Sequence, residues 1–166
     1  PITPLQILWI NMTTAVFLGL MLAFEPIEYG IMQRAPRPPG TPILDRSLVW
    51  RIVLVSVLLL AGAYGLFLLK LEQGHALAEA RTVAVNVFVV VEAFYLFNCR
   101  SLERSALSVG LVSNPAIWYG VAVMAVLQLL LTYTPLMNRL FATAPIGWQE
   151  WAEIFGVGLI ASLVVG

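Results

Sequence analysis

The chain holds 166 residues, of which 60% are apolar and only 11% charged, with nine basic and nine acidic side chains balancing to zero net charge. Soluble domains carry about a quarter of their residues as charges, so this composition belongs in a membrane, with the lipid bilayer as its first partner. There is no basic surplus to bind nucleic acid, and a single Cys99 beside a single His75 excludes an internal disulfide and a Cys/His zinc cluster.

In chain order, a window of about 19 residues predicts five apolar spans, at about 4–23, 48–70, 82–98, 115–134 and 149–165. The expected fold is an all-α membrane protein, a bundle of five transmembrane helices forming a single domain over residues 1–166. The chain opens at Pro1 with no initiator Met, basic leader or cleavage site, so its apolar start is not a signal peptide and the chain reads as a piece of something longer.

The first span holds Asn11, Thr13 and Thr14 and stops at Phe24-Glu25-Pro26. Polar groups held in hydrocarbon need partners or a task. Asn11 and Thr14, spaced i and i+3, are expected to share a helix face and to point their oxygens at a hard cation stripped of water. Thr hydroxyls in spans commonly bond back to their own helix, whereas the Asn11 amide has more hydrogen-bonding capacity than one turn can satisfy. Prolines, glycines and charges make residues 25–47 a solvated connector.

The second span leads through Glu72, His75 and Glu79 into the third, where Glu92 is the only carboxylate deep inside a predicted span. An unpaired charge there is costly, so Glu92 is expected to lend an oxygen to a cation path or to carry a proton; the plain alternative is a protonated group bonded to a neighbouring helix. Asn86 and Asn98, each six residues from Glu92 and rotated about 120° from it, are predicted to hydrogen-bond other helices, as is Gln128 in the fourth span. His75 is assigned to a solvated loop, and residues 135–150 to an interfacial segment. Small residues four apart, Ala61 with Gly65 and Ala152 with Gly156, mark expected close helix contacts. Trp50, Trp118, Tyr119, Tyr133, Trp148 and Trp151 fall near span ends, as aromatic belt residues do.

Successive spans alternate in direction, so loops 25–47 and 99–113 share a side, and they hold Arg34, Arg37, Arg46, Arg100 and Arg104. The positive-inside rule makes that side cytoplasmic and leaves Pro1 outside.

The stretch PLQILWINMTTAVFLGLMLAFEP, followed by IMQRAPRPP, resembles the sixth membrane helix of the P-type cation-transporting ATPases, with its pattern PxQxLWxNLxTD and the FxPP and DIMxRPPR that follow. VFVVVEAFYLFNCRS is similar to the VxxxIExxNALNxxS of their eighth helix. The resemblance implies helices six to ten of such a pump in a multi-pass plasma-membrane protein. Upstream helices and a cytosolic phosphorylation domain would lie elsewhere in a parent that uses ATP and Mg²⁺, with no cofactor held by this fragment. It also implies Asn11, Thr14 and Glu92 as ligands of the transported cation, calcium or another hard cation.

Where that family has Asp then Gly after its Thr, this chain has Ala15 then Val16. A shared carboxylate is absent, so at most one conventional site, or a different ion, is expected. Val16 takes the place of a residue whose flexibility helps that helix unwind in relatives, so the resemblance carries no irregular backbone to this position. The chain has no DKTGT or GxxxxGK[ST] stretch and cannot itself hydrolyse ATP. The competing readings are half of a secondary cation transporter or channel that uses Glu92 without ATP, and a purely structural bundle.

Overall fold

The computed structural model describes residues 2–24, 31–33, 35, 36, 38, 40, 42, 44–99 and 115–165. Arg34, Arg37, Arg100 and Arg104, on which the orientation argument leans, and the stop at Glu25-Pro26 lie outside the described residues.

Five helices are long and apolar enough to cross a membrane: Pro4–Leu22, Arg46–Glu72, Leu77–Asn98, Pro115–Tyr133 and Trp148–Val165. The bundle is all-helical among the described residues, as expected, and the third helix begins five residues earlier than its apolar window. The reason is that Leu77-Ala-Glu-Ala-Arg81 is polar yet made of good helix formers, which a hydropathy window does not register.

The first span is composite. It begins as α1 (Pro4–Asn11), winds as a π-helix through Met12–Leu18, and ends as α2 (Gly19–Leu22). Its start is fixed locally: Thr3 caps the helix, Gln6 returns its side-chain oxygen to the Thr3 N–H at 2.9 Å, and Pro4 occupies the first turn, where no N–H is missed. The second span, α3 (Arg46–Glu72), starts at Asp45, whose carboxylate accepts the Leu48 N–H at 2.7 Å. It turns at Gly74, at a φ of 84° that favours glycine, into α4 (Leu77–Cys99). After the fourth span, α5 (Pro115–Tyr133), comes a seven-residue helix, α6 (Pro135–Phe141), too short to cross. The fifth span is α7 (Trp148–Val165).

α4 is the hub. It is valine-rich, with apolar residues on every face and a few buried polar ones among them, and it serves two cores at once. Val83, Val87 and Val91 pack with Ala63 and Phe67 of α3 and with Ile154 and Ala161 of α7. Val85, Val89 and Leu96 pack with Trp9 and Leu18 of the first span and with Ile117, Met124 and Leu131 of α5. The first span and α4 run in the same direction, which sets equal depths side by side.

The close approaches are made by glycines other than those expected. A Cβ on Gly158 of α7 would lie 2.8 Å from the Phe94 ring, and one on Gly62 would lie 2.6 Å from Val157, whereas Gly65 and Gly156 face open space and Ala61 and Ala152 are exposed. Small residues four apart are common on spanning helices, so their spacing does not tell which face turns inward.

One charged group is more deeply placed than its position suggests. Lys70, in the last turn of α3, is only 1% exposed and reaches Glu153 at 2.9 Å, Glu150 at 3.4 Å and Gln73 at 3.1 Å. It pins α3 to the first turn of α7. Lys70→Met is therefore expected to destabilise the bundle by about 3 kcal/mol, the lower end of the cost of stripping one partner from a buried ion pair. Reversible unfolding in detergent checks this: adding Glu150→Gln and Glu153→Gln to Lys70→Met should recover most of the loss, and an unaffected single variant would contradict the assignment.

Candidate functional site

The site begins with the change of winding at Met12. Passing from α-helix to π-helix shifts the backbone from i→i+4 to i→i+5 bonding and crowds carbonyls at the junction. Two hydroxyls attend to them: Thr13 Oγ1 donates to Trp9 O at 2.9 Å and lies 3.1 Å from Ile10 O, and Thr14 Oγ1 donates to Ile10 O at 2.8 Å. Both threonines thus bond back to their own helix, as span threonines do, and here they close the ends of a wider turn. The winding is irregular even though Val16 offers no glycine-like freedom, so the flexible residue of the resemblance is not required for it.

The same turn separates two residues expected on one face. Thr13 and Thr14 are buried against the bundle, whereas Asn11 is exposed, on the open side with Leu8, Met12, Ala15 and Val16. Asn11 belongs to the last residues of regular α-helix, and the π turn then rotates Thr14 away from its line.

Thr14 meets Glu92. α4 places that side chain beside Thr14, and Glu92 Oε2 is buried with no hydrogen-bond partner among the described residues. A hydroxyl has one proton, and that of Thr14 goes to Ile10 O. With that proton engaged, the Thr14 oxygen has only lone pairs left to offer the Glu92 carboxylate, which makes the two a pair of acceptors. Such a pair is satisfied by a proton on the carboxyl or by a cation between the oxygens. Among the described residues no group of three His, Cys, Asp or Glu side chains converges on a metal position, so the pair supplies part of a coordination shell only.

A chain of amides runs beside this pair. The Trp9 indole N–H donates to Gln128 Oε1 at 2.7 Å, and Gln128 Nε2 donates to Asn86 Oδ1 at 2.8 Å. Asn86 Nδ2 donates to Thr82 O at 3.0 Å and to Thr132 Oγ1 at 3.2 Å, and Thr132 returns its proton to Gln128 O at 2.8 Å. Asn86 and Gln128 therefore act between helices as expected, and so does Asn98, whose Nδ2 donates to Ser162 O at 3.1 Å. Trp9 escapes a sequence reading, since an indole within an apolar run looks like core. The one available signal is that Trp carries a donor that must be satisfied when buried. His75, assigned to a solvated loop, lies between α3 and α4, half-exposed, with Nδ1 2.8 Å from Glu79 Oε2.

The whole chain, residues 1–166, matches a family model described as cation transporting ATPase, C-terminus. It is 56% identical over 165 residues to a probable cation-transporting ATPase F of Mycobacterium bovis, an alignment covering 99% of this chain and 18% of that protein. It is 37% identical over 158 residues to the cation-transporting ATPase pma1 of Synechocystis, covering 92% of this chain and 18% of that one. With a calcium-transporting ATPase of Bacillus subtilis the identity is 28% over 166 residues, or 99% of this chain and 18% of the relative. The chain thus spans less than a fifth of the length of these relatives.

Replacing the hydroxyl that closes the π turn while keeping its shape gives a direct check of that turn. Thr13→Val should lower stability by about 1 kcal/mol, within the range of hydrogen bonds measured inside membranes, as read by unfolding in bicelles. Equal stability would mean that the hydroxyl does not hold the junction.

Proposed function

Because the chain belongs to the cation-transporting ATPases, matching their C-terminal region along its whole length, we propose that it forms the distal half of the membrane domain of an ATP-driven P-type cation pump. Thr14 and Glu92 then supply inner oxygens to the transported ion. The observation that carries this reading is the buried, unpartnered Glu92 oxygen beside Thr14 in a π-helical turn, an irregularity frequent at functional sites. Asn11 joins the shell from the open side of the first span, where helices upstream in the parent would pack and bring further oxygens.

Hard cations take six or more oxygen ligands, and affinity rises with the number of charged ones. With Ala15 where the resemblance has a carboxylate, Glu92 is the single charge on these spans near Thr14, so one cation site is the reading in keeping with this ligand set. Several relatives are named as calcium transporters, and calcium or another hard cation suits an amide, a hydroxyl and a carboxylate. Phosphorylation, ATP and Mg²⁺ belong to upstream domains of the parent. Loops 25–47 and 99–113 face the cytoplasm, with Pro1 outside, in a plasma-membrane protein. Alternating access follows if the ion stabilises one of two arrangements of the first span against α4.

In the full-length pump Glu92→Gln should raise the cation concentration for half-maximal ATPase activity on the order of tenfold or more, because it removes a charged ligand. Asn11→Ala should raise it less. Unchanged cation dependence in both variants would remove these residues from the site and favour the structural-bundle reading.

A further inference from the structure

The amide chain lies at a telling depth. Trp9 precedes Thr14 by five residues and Asn86 precedes Glu92 by six, and the two helices run the same way. At 1.5 Å per residue the bridge therefore sits about 7–9 Å to one side of the Thr14–Glu92 pair, roughly one and a half turns nearer the N-terminal ends of both helices. It is a hydrogen-bonded tie across the two halves of the site on that side, and it passes through a third helix, α5, which contributes neither Thr14 nor Glu92.

Its geometry has one solution. The indole is a donor only, so Gln128 must present Oε1 to Trp9, which leaves Nε2 for Asn86 and obliges Asn86 to present Oδ1. The Asn86 amide then donates to Thr82 and Thr132, and Thr132 closes the circuit on Gln128. Trp9 is 7% exposed, Gln128 3%, and Asn86 and Thr132 fully buried, so no water or lipid headgroup substitutes for a missing partner. The cavity of about 500 Å³ that borders Gln128 has an almost wholly apolar lining and offers no replacement either. Trp9 stands three residues before the π-helix begins. The bridge thus fixes the last anchored point of the first span before its winding changes.

We propose that Gln128, with Asn86 and Trp9, is a positioning residue of the cation site: the bridge sets the rotation and height at which Thr14 meets Glu92, and so sets cation affinity from a helix that contributes no ligand. This rests on the reading of Thr14 and Glu92 as ion ligands.

The test uses the full-length pump in proteoliposomes and reads half-maximal cation concentration, half-maximal ATP concentration and maximal rate for Trp9→Phe, Gln128→Leu and Glu92→Gln. Trp9→Phe removes the N–H and keeps an aromatic ring against Phe141, whose centroid lies 5.1 Å away, so it is the variant that retains the packing. The expected result for Trp9→Phe and for Gln128→Leu is a rise of about three- to tenfold in half-maximal cation concentration, the span to which membrane hydrogen bonds convert. The ATP value and the maximal rate should hold within about twofold, and the double variant should be no worse than Gln128→Leu alone, since that change already cuts the bond that Trp9→Phe removes. A fall in maximal rate and thermal stability with unchanged cation dependence would make the bridge merely structural and overturn the proposal. If Glu92→Gln shifts the cation dependence and neither bridge variant does, the ligand reading stands and positioning fails. If Glu92→Gln shifts nothing, the ligand reading fails and positioning falls with it.

Discussion

The bond from the Trp9 indole to the Gln128 amide is the tie on which the arrangement of this bundle turns. Hydrocarbon supplies no partner for a polar group, so each amide and hydroxyl inside the spans must find one within the protein. Here the partners are arranged in one direction only, because a donor-only indole orients the amide of Gln128 and that amide orients Asn86. Apolar packing alone would let the first span slide or rotate against α4, since valine and leucine faces accept many registers. The amide chain accepts one.

With the register fixed, the rest of the site follows from local chemistry. The first span is regular up to Asn11 and widens at Met12, where Thr13 and Thr14 attend to the carbonyls of Trp9 and Ile10. This commits the Thr14 proton backward and leaves its oxygen only lone pairs to offer Glu92. If the proposed cation site is formed here, it benefits from just this incompleteness: a fully satisfied carboxylate would be inert, and a wholly unpaired one would be costly. On the other side of α4 Lys70 ties α3 to α7 through Glu150 and Glu153, so the hub helix is held between a fixed pair and the span that carries Thr14.

Much of this was legible in the amino-acid order, and the failures have physical causes. The five spans were readable because length and apolarity are demanded by a bilayer. Asn86, Asn98 and Gln128 were readable as inter-helix groups because hydrocarbon allows amides little else. Asn11 and Thr14 were expected on one face and are not, because i and i+3 share a face only where the helix keeps its α winding. The burial of Lys70 was not legible, since nothing local shows that two carboxylates about eighty residues away close over it. Gly62 and Gly158 were passed over for Gly65 and Gly156 because a small-residue spacing does not fix the rotation of a helix against its neighbour.

The central claim, that a cation sits between Thr14 and Glu92, is most directly tested by chemical access to that carboxyl. A hydrophobic carbodiimide modifies carboxyls within a bilayer, and mass spectrometry of the full-length pump can follow the label on Glu92 as the transported cation is added. The account predicts strong labelling without the cation and protection that saturates over the same concentration range as ATPase activation. Labelling of Glu92 that is indifferent to saturating cation would contradict it.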